Sequence, residues 1–193
     1  MPRPRKYDET EVLAAAMEVF WADGYGASTR QLSKAMDINS YSVYAAFESK
    51  SRLFERALNH YIDNVVLGSV LRPLRSKRAA MPELREFLES FVDTRNRNAP
   101  NGCLICNTMI ELTEHTPSVS ASIQRYRDLM LKAFSRALVH AFPQMPRKVV
   151  RARSEFLFTA ILGLFVEKRM GVEGRSIQRL VNEIMATVER DFE

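Results

Sequence analysis

Hydrophobic side chains recur every three to four residues along most of the chain, which is the spacing of one face of an α-helix. No segment alternates between apolar and polar residues for long enough to predict a β-strand. Glycine is scarce, and Gly, Pro, Asn and Asp mark breaks only at long intervals. The pattern therefore predicts an all-α fold of nine helices, at approximately residues 8–22, 29–36, 40–46, 49–71, 82–96, 103–112, 117–142, 147–170 and 175–193.

Residues 28–50 predict two short helices joined by a tight turn and followed at once by the start of another helix. Ser28 and Gln31 have the spacing of a capping box, and Asn39 is a strong N-cap for the next helix. Asp37 ends the first of the two helices, because Asp tolerates the left-handed conformation better than most residues other than glycine. This layout is typical of a helix-turn-helix, whose second helix enters the major groove of DNA.

Small polar side chains on the second of these helices predict contacts with DNA. Ser40, Tyr41 and Ser42 can approach base edges, and Tyr44 can direct its hydroxyl to a phosphate. Lys50 can reach another phosphate, using both its charge and the N-terminus of the following helix. The predicted DNA-binding residues are Ser28, Thr29, Arg30, Asn39, Ser40, Tyr41, Ser42, Tyr44 and Lys50.

An ordered set of short motifs runs from residue 24 to residue 54: Gly24-Tyr25, Ser28-Thr29, the turn at 37–39, Val43-Tyr44-Ala45-Ala46-Phe47, and Ser49-Lys50 followed by Leu53-Phe54. This set resembles the TetR (tetracycline repressor-type) family of bacterial transcription regulators, and the resemblance covers about residues 8–60. Two departures stand out. Asp37 replaces the usual Gly, and Ala45 and Ala46 replace larger polar residues, which shifts base contacts to Ser40, Tyr41 and Tyr44.

The resemblance implies a homodimeric, ligand-responsive transcriptional regulator, most often a repressor, rather than an enzyme. Residues 1–52 would form the DNA-binding domain, and residues 53–193 would bind a small-molecule effector and form the dimer. The partners implied are a roughly palindromic double-stranded DNA operator, the effector and a second copy of the chain. No cofactor and no metal ion is expected.

The effector pocket that the resemblance implies would lie among apolar side chains of the fifth to eighth helices. Met and aromatic side chains suit an adaptable apolar site, although each of them can equally fill a core. Glu111 and Glu114 either select a cationic ligand or lie on the surface. The candidate ligand-binding residues are Phe87, Phe91, Ile105, Met109, Tyr126, Met130, Phe134, Phe158 and Leu162.

The eighth helix is apolar nearly all round between residues 156 and 166, and such a helix must be covered on every side. The resemblance suggests that a second copy supplies part of the cover, with the last two helices forming the dimer interface. Gly163 would permit a close approach of helices. The candidate interface residues are Phe156, Leu157, Ile161, Leu164, Phe165, Ile177, Leu180, Val181, Ile184 and Val188.

Cys103 and Cys106 form a C-x-x-C motif on a predicted short helix, and they carry an alternative function. The motif could be a redox pair, or half of a metal site with His115 as a further ligand. Alternatively, the two cysteines are small apolar residues buried on one helix face. A thiol-based redox sensor or redox protein is therefore the alternative to the DNA-binding regulator.

The net charge of +5 and the pI near 9.4 permit a nucleic-acid partner without establishing one, because residues 1–50 carry six basic and seven acidic side chains. A basic helical protein that coats acidic surfaces without sequence preference is a third possibility. The N-terminus does not resemble a targeting signal, and the longest apolar run, residues 156–166, is too short to span a bilayer. These features predict a cytoplasmic protein with no membrane partner.

Overall fold

The computed structural model describes residues 8–92 and 102–190, apart from the side chains of Ser40, Ser42 and Tyr44. Within these ranges the chain forms nine α-helices and no β-strand, so the predicted all-α class with nine helices is confirmed. The helices are α1 (Glu9–Asp23), α2 (Thr29–Ala35), α3 (Ser40–Phe47), α4 (Lys50–His60), α5 (Met81–Glu89), α6 (Leu104–Glu111), α7 (Pro117–Ala141), α8 (Arg147–Arg169) and α9 (Gly174–Glu189).

The predicted fourth helix differs from the structure in its second half. Its α-helical part ends at His60, and a π-helical segment continues from Tyr61 to Val70. The side-chain amide of Asn64 donates to the carbonyl oxygen of His60 at 3.1 Å. Asn59 makes the same contact with the carbonyl oxygen of Glu55 at 3.1 Å inside the α-helical part, so this type of bond is common to both windings. The predicted residues 93–96 of the fifth helix lie outside the described residues.

The described residues divide into two compact units. The first contains residues 8–65 and 103–123, and the second contains residues 66–92, 102 and 124–190. The first unit therefore holds α1 to α4 together with α6, and the second holds α5, α8 and α9. The division at residues 52 and 53 that we drew from the sequence is a functional one, and it stays a prediction.

Local sequence fixes both ends of α2. At its start, the backbone N–H of Gln31 donates to Ser28 Oγ at 3.2 Å, and the N–H of Ser28 donates to Gln31 Oε1 at 2.8 Å. At its end, Asp37 has a φ of 51°, and the N–H of Ile38 donates to the carbonyl of Ser33 at 3.2 Å. This is a Schellman ending with a left-handed residue after the C-cap. The predicted capping box and left-handed Asp37 are both confirmed.

Buried side chains hold α3 against the other helices of the first unit. Val43 and Phe47 are each about 2% exposed, and they are four residues apart on one face of α3. Around them, the rings of Phe20 and Phe54 meet edge to face with centroids 4.9 Å apart. Arg56 lies over the ring of Phe47 at 5.0 Å. One side of α3 thus packs in the core, and the opposite side is available to contact a partner.

The backbone at Asp37 generates a prediction about stability. An L-residue in the left-handed region costs about 1–2 kcal/mol, less for Asp, and glycine avoids this cost but loses more entropy on folding. We expect Asp37→Gly to raise the free energy of unfolding by about 0.5 kcal/mol, and Asp37→Val to lower it by about 1–2 kcal/mol. Urea unfolding of the full chain at one fixed protein concentration measures both changes.

The control is Glu18→Gly, at an exposed position inside α1, where glycine should instead lower the free energy of unfolding by about 1 kcal/mol. Equal or lower stability of Asp37→Gly relative to the unaltered chain would contradict the prediction.

Candidate nucleic-acid interface

The side of α3 that faces away from the core carries the predicted DNA contacts. Tyr41 is 84% exposed, the largest exposure among the exposed large hydrophobic side chains of the described residues, and Ala45 beside it is exposed as well. The side chains of Ser40, Ser42 and Tyr44 lie outside what the structure describes, although their backbone belongs to α3. The contacts predicted for these three residues therefore stay predictions. A solvent-exposed tyrosine on a short helix can offer both its ring and its hydroxyl to a groove of DNA.

The predicted residues at the starts of α2 and α3 differ in their exposure to solvent. The hydroxyl of Ser28 donates to Gln31 Oε1 at 2.6 Å, so it is engaged in the cap. Thr29 is half-buried, whereas Arg30 and Asn39 are exposed. Ser28 therefore fixes the start of α2 through its cap with Gln31.

Lys50 lies over the ring of Tyr25, with its Nζ 4.8 Å from the ring centroid. The ring of Tyr25 in turn meets that of Phe54 edge to face, with centroids 5.0 Å apart. Lys50 is the first residue of α4, whose N-cap Ser49 accepts the N–H of Arg52 at 3.1 Å. A cation–π contact thus holds the ammonium beside a helix N-terminus, and both the charge and the helix dipole favour a phosphate there.

Two residues of this region were missed as functional residues by the sequence analysis. Tyr25 belongs to the Gly-Tyr motif, but nothing in the motif shows that its ring supports Lys50. Glu111, which we placed either in a ligand site or on the surface, is exposed and accepts hydrogen bonds from the backbone of Tyr25 and Gly26. Glu111 is 86 residues away from Tyr25 in sequence, so no local pattern could have revealed the contact.

The candidate ligand-binding residues do not all belong to one unit. Ile105 and Met109 lie on α6 in the first unit, and the other seven lie in the second. In the second unit, the rings of Phe87 and Phe134 are 5.6 Å apart and those of Tyr126 and Phe158 are 6.0 Å apart. Most of these residues are buried, with only Met109 and Leu162 half-buried, as either a core or a closed pocket would require.

A separate cavity of about 590 Å³ lies between α7 and α8 in the second unit. Its lining combines apolar side chains with Arg127, Arg147 and Arg151, and Arg151 pairs with Glu155 at 3.2 Å. It includes none of the nine candidate ligand-binding residues. Arginines at an apolar surface favour a ligand with an anionic group over a cationic one.

Most of the candidate interface residues are already covered within one subunit. The helix α9 contacts α8 and α5, and seven of the candidate interface residues on α8 and α9 are buried, namely Leu157, Ile161, Leu164, Ile177, Val181, Ile184 and Val188. Phe165 is half-buried, whereas Phe156 and Leu180 are each 40% exposed. The outward side of α8 carries a second stripe with helical spacing, at Ala152, Phe156, Thr159, Gly163, Val166 and Met170.

Cys103 and Cys106 are buried free thiols in the first unit. Burial raises the pKa of the neighbouring Tyr61 well above its usual value, and contacts with Cys103 and Cys106 raise it further. Their predicted burial is confirmed. His115 completes no metal site with them, since residues 8–92 and 102–190 contain no cluster of three His, Cys, Asp or Glu side chains that could hold a metal ion.

None of the helices in the described part of the chain combines the length and the apolar character that a membrane span requires.

Comparison with known proteins places this interface among DNA-binding regulators. Residues 12–57 match the family model described as bacterial regulatory proteins, tetR family. The HTH-type transcriptional repressor BdcR of Escherichia coli (strain K12) is 28% identical over 182 residues, which cover 92% of this chain and 86% of BdcR. The HTH-type transcriptional repressor ComR of the same organism is 23% identical over 184 residues, with 93% and 86% coverage.

A solved structure extends the similarity to the whole chain. A cysteine mutant of the TetR family transcriptional regulator CifR, complexed with 26-bp double-strand operator DNA, has a TM-score of 0.79 and 26% identity. The match covers 99% of this chain and 100% of the CifR chain. These relatives are DNA-binding regulators rather than enzymes, and they lend no support to the alternative of a redox protein.

The geometry of Lys50 predicts a sequence-independent contribution to DNA binding. Lys50→Gln removes one phosphate contact, so we expect affinity to fall roughly tenfold near 0.1 M salt for every DNA sequence. The slope of log Kd against log salt concentration should decrease by about one. Fluorescence anisotropy with labelled duplexes over a salt series measures both quantities.

Lys132→Gln, at an exposed lysine of α7 in the second unit, makes the same charge change and should alter neither quantity by as much. An unchanged salt slope in Lys50→Gln would show that Lys50 does not contact a phosphate.

Proposed function

The chain belongs to the TetR family of bacterial regulatory proteins, and on this premise we propose that it is a homodimeric repressor that acts in the cytoplasm. It binds a roughly palindromic operator and releases it when a small molecule binds elsewhere in the subunit. The observation that carries the proposal is the outward side of α3, with the highly exposed Tyr41, beside the supported ammonium of Lys50. Repression is the favoured direction, because BdcR and ComR, which align over most of the chain, are repressors.

We divide the DNA contacts into two groups. Thr29, Tyr44 and Lys50 bind phosphates and set the position of α3, whereas Ser40 and Tyr41 contact base edges. Arg30, Asn39 and Ser42 supply further polar contacts at the ends of α2 and α3. Because Ala45 and Ala46 offer few direct contacts, the shape and deformability of the operator contribute to recognition.

The outward stripe of α8 supports the proposed homodimer. It is apolar or small at six positions, and an added Cβ at Gly163 would meet no atom of the subunit within 4 Å. Phe156 and Val166 are each 40% exposed on this stripe, and Leu180 adds an exposed apolar side chain on α9. A second copy of the same stripe would cover these groups, as the symmetry of a two-fold dimer requires.

The stripe predicts which substitutions break the dimer. Val166→Glu places a charge where the partner would bury it, so the dimer should dissociate at micromolar protein concentration. Analytical ultracentrifugation measures the change, and circular dichroism checks that the subunit keeps its helices. The matched control is Val139→Glu, the same substitution at a valine of α7 that is 47% exposed, which should leave the dimer intact.

A monomeric unaltered chain would refute the homodimer, and an intact Val166→Glu dimer would refute this choice of interface.

For the effector we propose the apolar residues named from the sequence: Phe87, Phe91, Ile105, Met109, Tyr126, Met130, Phe134, Phe158 and Leu162. The aromatic contacts among those of the second unit support a site within that unit, because an apolar ligand can separate rings that otherwise pack on each other. A coupling of about 1–3 kcal/mol between effector and operator would weaken operator binding by roughly 5- to 150-fold.

Selection of bound fragments from random DNA at stated salt tests the proposed function directly. We expect a palindromic sequence that binds about 10³-fold or more tightly than unselected DNA. A protein that coats acidic surfaces would instead enrich no sequence, and its binding would fall with salt equally for all fragments. Replacing both Cys103 and Cys106 by Ser should leave the selected DNA sequence unchanged. If the chain were instead a redox protein, the same replacement would abolish its redox function.

A further inference from the structure

The carboxylate of Glu111 holds the loop between α1 and α2. Its Oε2 accepts the backbone N–H of Tyr25 at 3.0 Å, and its Oε1 accepts the N–H of Gly26 at 3.2 Å. Each carboxylate oxygen therefore receives one of two consecutive backbone donors. Hydrogen bonds to an ionised acceptor are stronger than those between neutral groups.

Gly24 leaves the space that this contact needs. Its φ is 74°, in the left-handed region that favours glycine, and an added Cβ would lie 2.5 Å from Glu111 Oε2. A larger residue at position 24 would displace the carboxylate from the loop. The Gly-Tyr-Gly sequence at residues 24–26 thus combines the backbone freedom and the two N–H donors that the carboxylate requires.

The position of Glu111 is itself fixed, because it is the last residue of α6 and that helix is anchored in the core of the first unit. Leu104, Ile105 and Cys106 are buried, and the hydroxyl of the buried Thr108 donates to the carbonyl of Leu104 at 2.9 Å. The carboxylate at the end of α6 therefore projects from a constrained helix onto the loop.

The side chain of Tyr25 continues the contact towards DNA. Its ring lies under the ammonium of Lys50 at 4.8 Å and against Phe54 at 5.0 Å. A continuous series of contacts thus joins the carboxylate of Glu111 to the backbone of Tyr25, the ring of Tyr25 and the ammonium of Lys50. All of these residues belong to the first unit.

We propose that Glu111 is a positioning residue for DNA binding, which fixes the ring of Tyr25 so that Lys50 is presented to a phosphate. This inference rests on the proposed function. It makes a prediction opposite in sign to simple electrostatics, because a carboxylate on a DNA-binding unit repels phosphates and its removal should tighten binding. Removing a carboxylate that positions a cation should weaken binding instead.

The test compares Glu111→Ala with Glu114→Ala. Both variants remove one exposed carboxylate, from the end of α6 or from the turn that follows it, and Glu114 forms no hydrogen bond or ion pair within the described part of the chain. Binding is measured by fluorescence anisotropy, over a salt series, with a labelled duplex of the sequence recovered by selection from random DNA. Thermal unfolding and circular dichroism show whether each variant is folded.

We expect Glu111→Ala to weaken binding roughly tenfold and to decrease the slope of log Kd against log salt concentration by up to about one, as Lys50→Gln does. Glu114→Ala should bind as tightly as the unaltered chain or more tightly. Glu111→Gln, which keeps one acceptor oxygen, should fall between the two, and it carries the test if Glu111→Ala fails to fold. In a Lys50→Gln background, Glu111→Ala should cause little further loss, because both changes remove the same phosphate contact.

Two results would overturn the inference alone: a Glu111→Ala variant with unchanged affinity and slope, or a loss of affinity with an unchanged slope that adds fully to the loss in Lys50→Gln. Failure of the unaltered chain to select any DNA sequence would overturn the proposed function, and the inference with it. The behaviour of the unaltered chain therefore separates the two failures.

Discussion

The burial of Val43 and Phe47 is the interaction on which the candidate interface depends. An isolated helix of eight residues is unstable in water, because nucleation costs more than so few hydrogen bonds return. The helix α3 (Ser40–Phe47) therefore depends on tertiary contacts, among them those of Val43 and Phe47, which are each about 2% exposed. Burying each contributes about 1.5–3 kcal/mol relative to an exposed side chain. The same contacts that stabilise the helix also fix which of its sides faces outward.

The ends of the short helix α2 help to determine where α3 lies against the core. The Ser28 and Gln31 cap sets the start of α2, and the left-handed Asp37 sets its end. Because the turn between α2 and α3 is short, a small change at either end of α2 would rotate α3 about its buried side. Aspartate is tolerated in the left-handed conformation rather than favoured there. The burial of neighbouring side chains therefore compensates for the conformational free energy that Asp37 costs.

How much could be predicted from the sequence follows from the range of the interactions. The Ser28 cap and the conformation of Asp37 were predictable, because they depend on residues three to five positions apart. The π-helical segment was not, because apolar spacing along Tyr61–Val70 does not distinguish it from a continuing α-helix. The contact of Glu111 with Tyr25 depends on tertiary structure alone. The sequence does not distinguish Glu111 from other exposed glutamates.

The eighth helix illustrates a further limit of periodicity. Its apolar character on all sides predicts cover on all sides, but it does not distinguish the side that the chain itself covers from the side left for a partner. In the structure, Leu157 and Ile161 are buried, whereas Phe156 and Val166 are each 40% exposed. The two apolar stripes lie on different sides of the same helix. Only the packing of neighbouring helices shows which stripe is buried within the chain.

The placement of α6 suggests how an effector would reach the DNA contacts with little movement. Ile105 and Met109, two candidate effector contacts, lie on the helix that ends at Glu111. A ligand that displaced these side chains would act on a helix whose last residue holds Tyr25 by two exposed hydrogen bonds. Such bonds contribute about 0.5–3 kcal/mol, which is the range of allosteric coupling energies. Under the proposed function, the loss of one loop contact would match in magnitude the coupling between effector and operator.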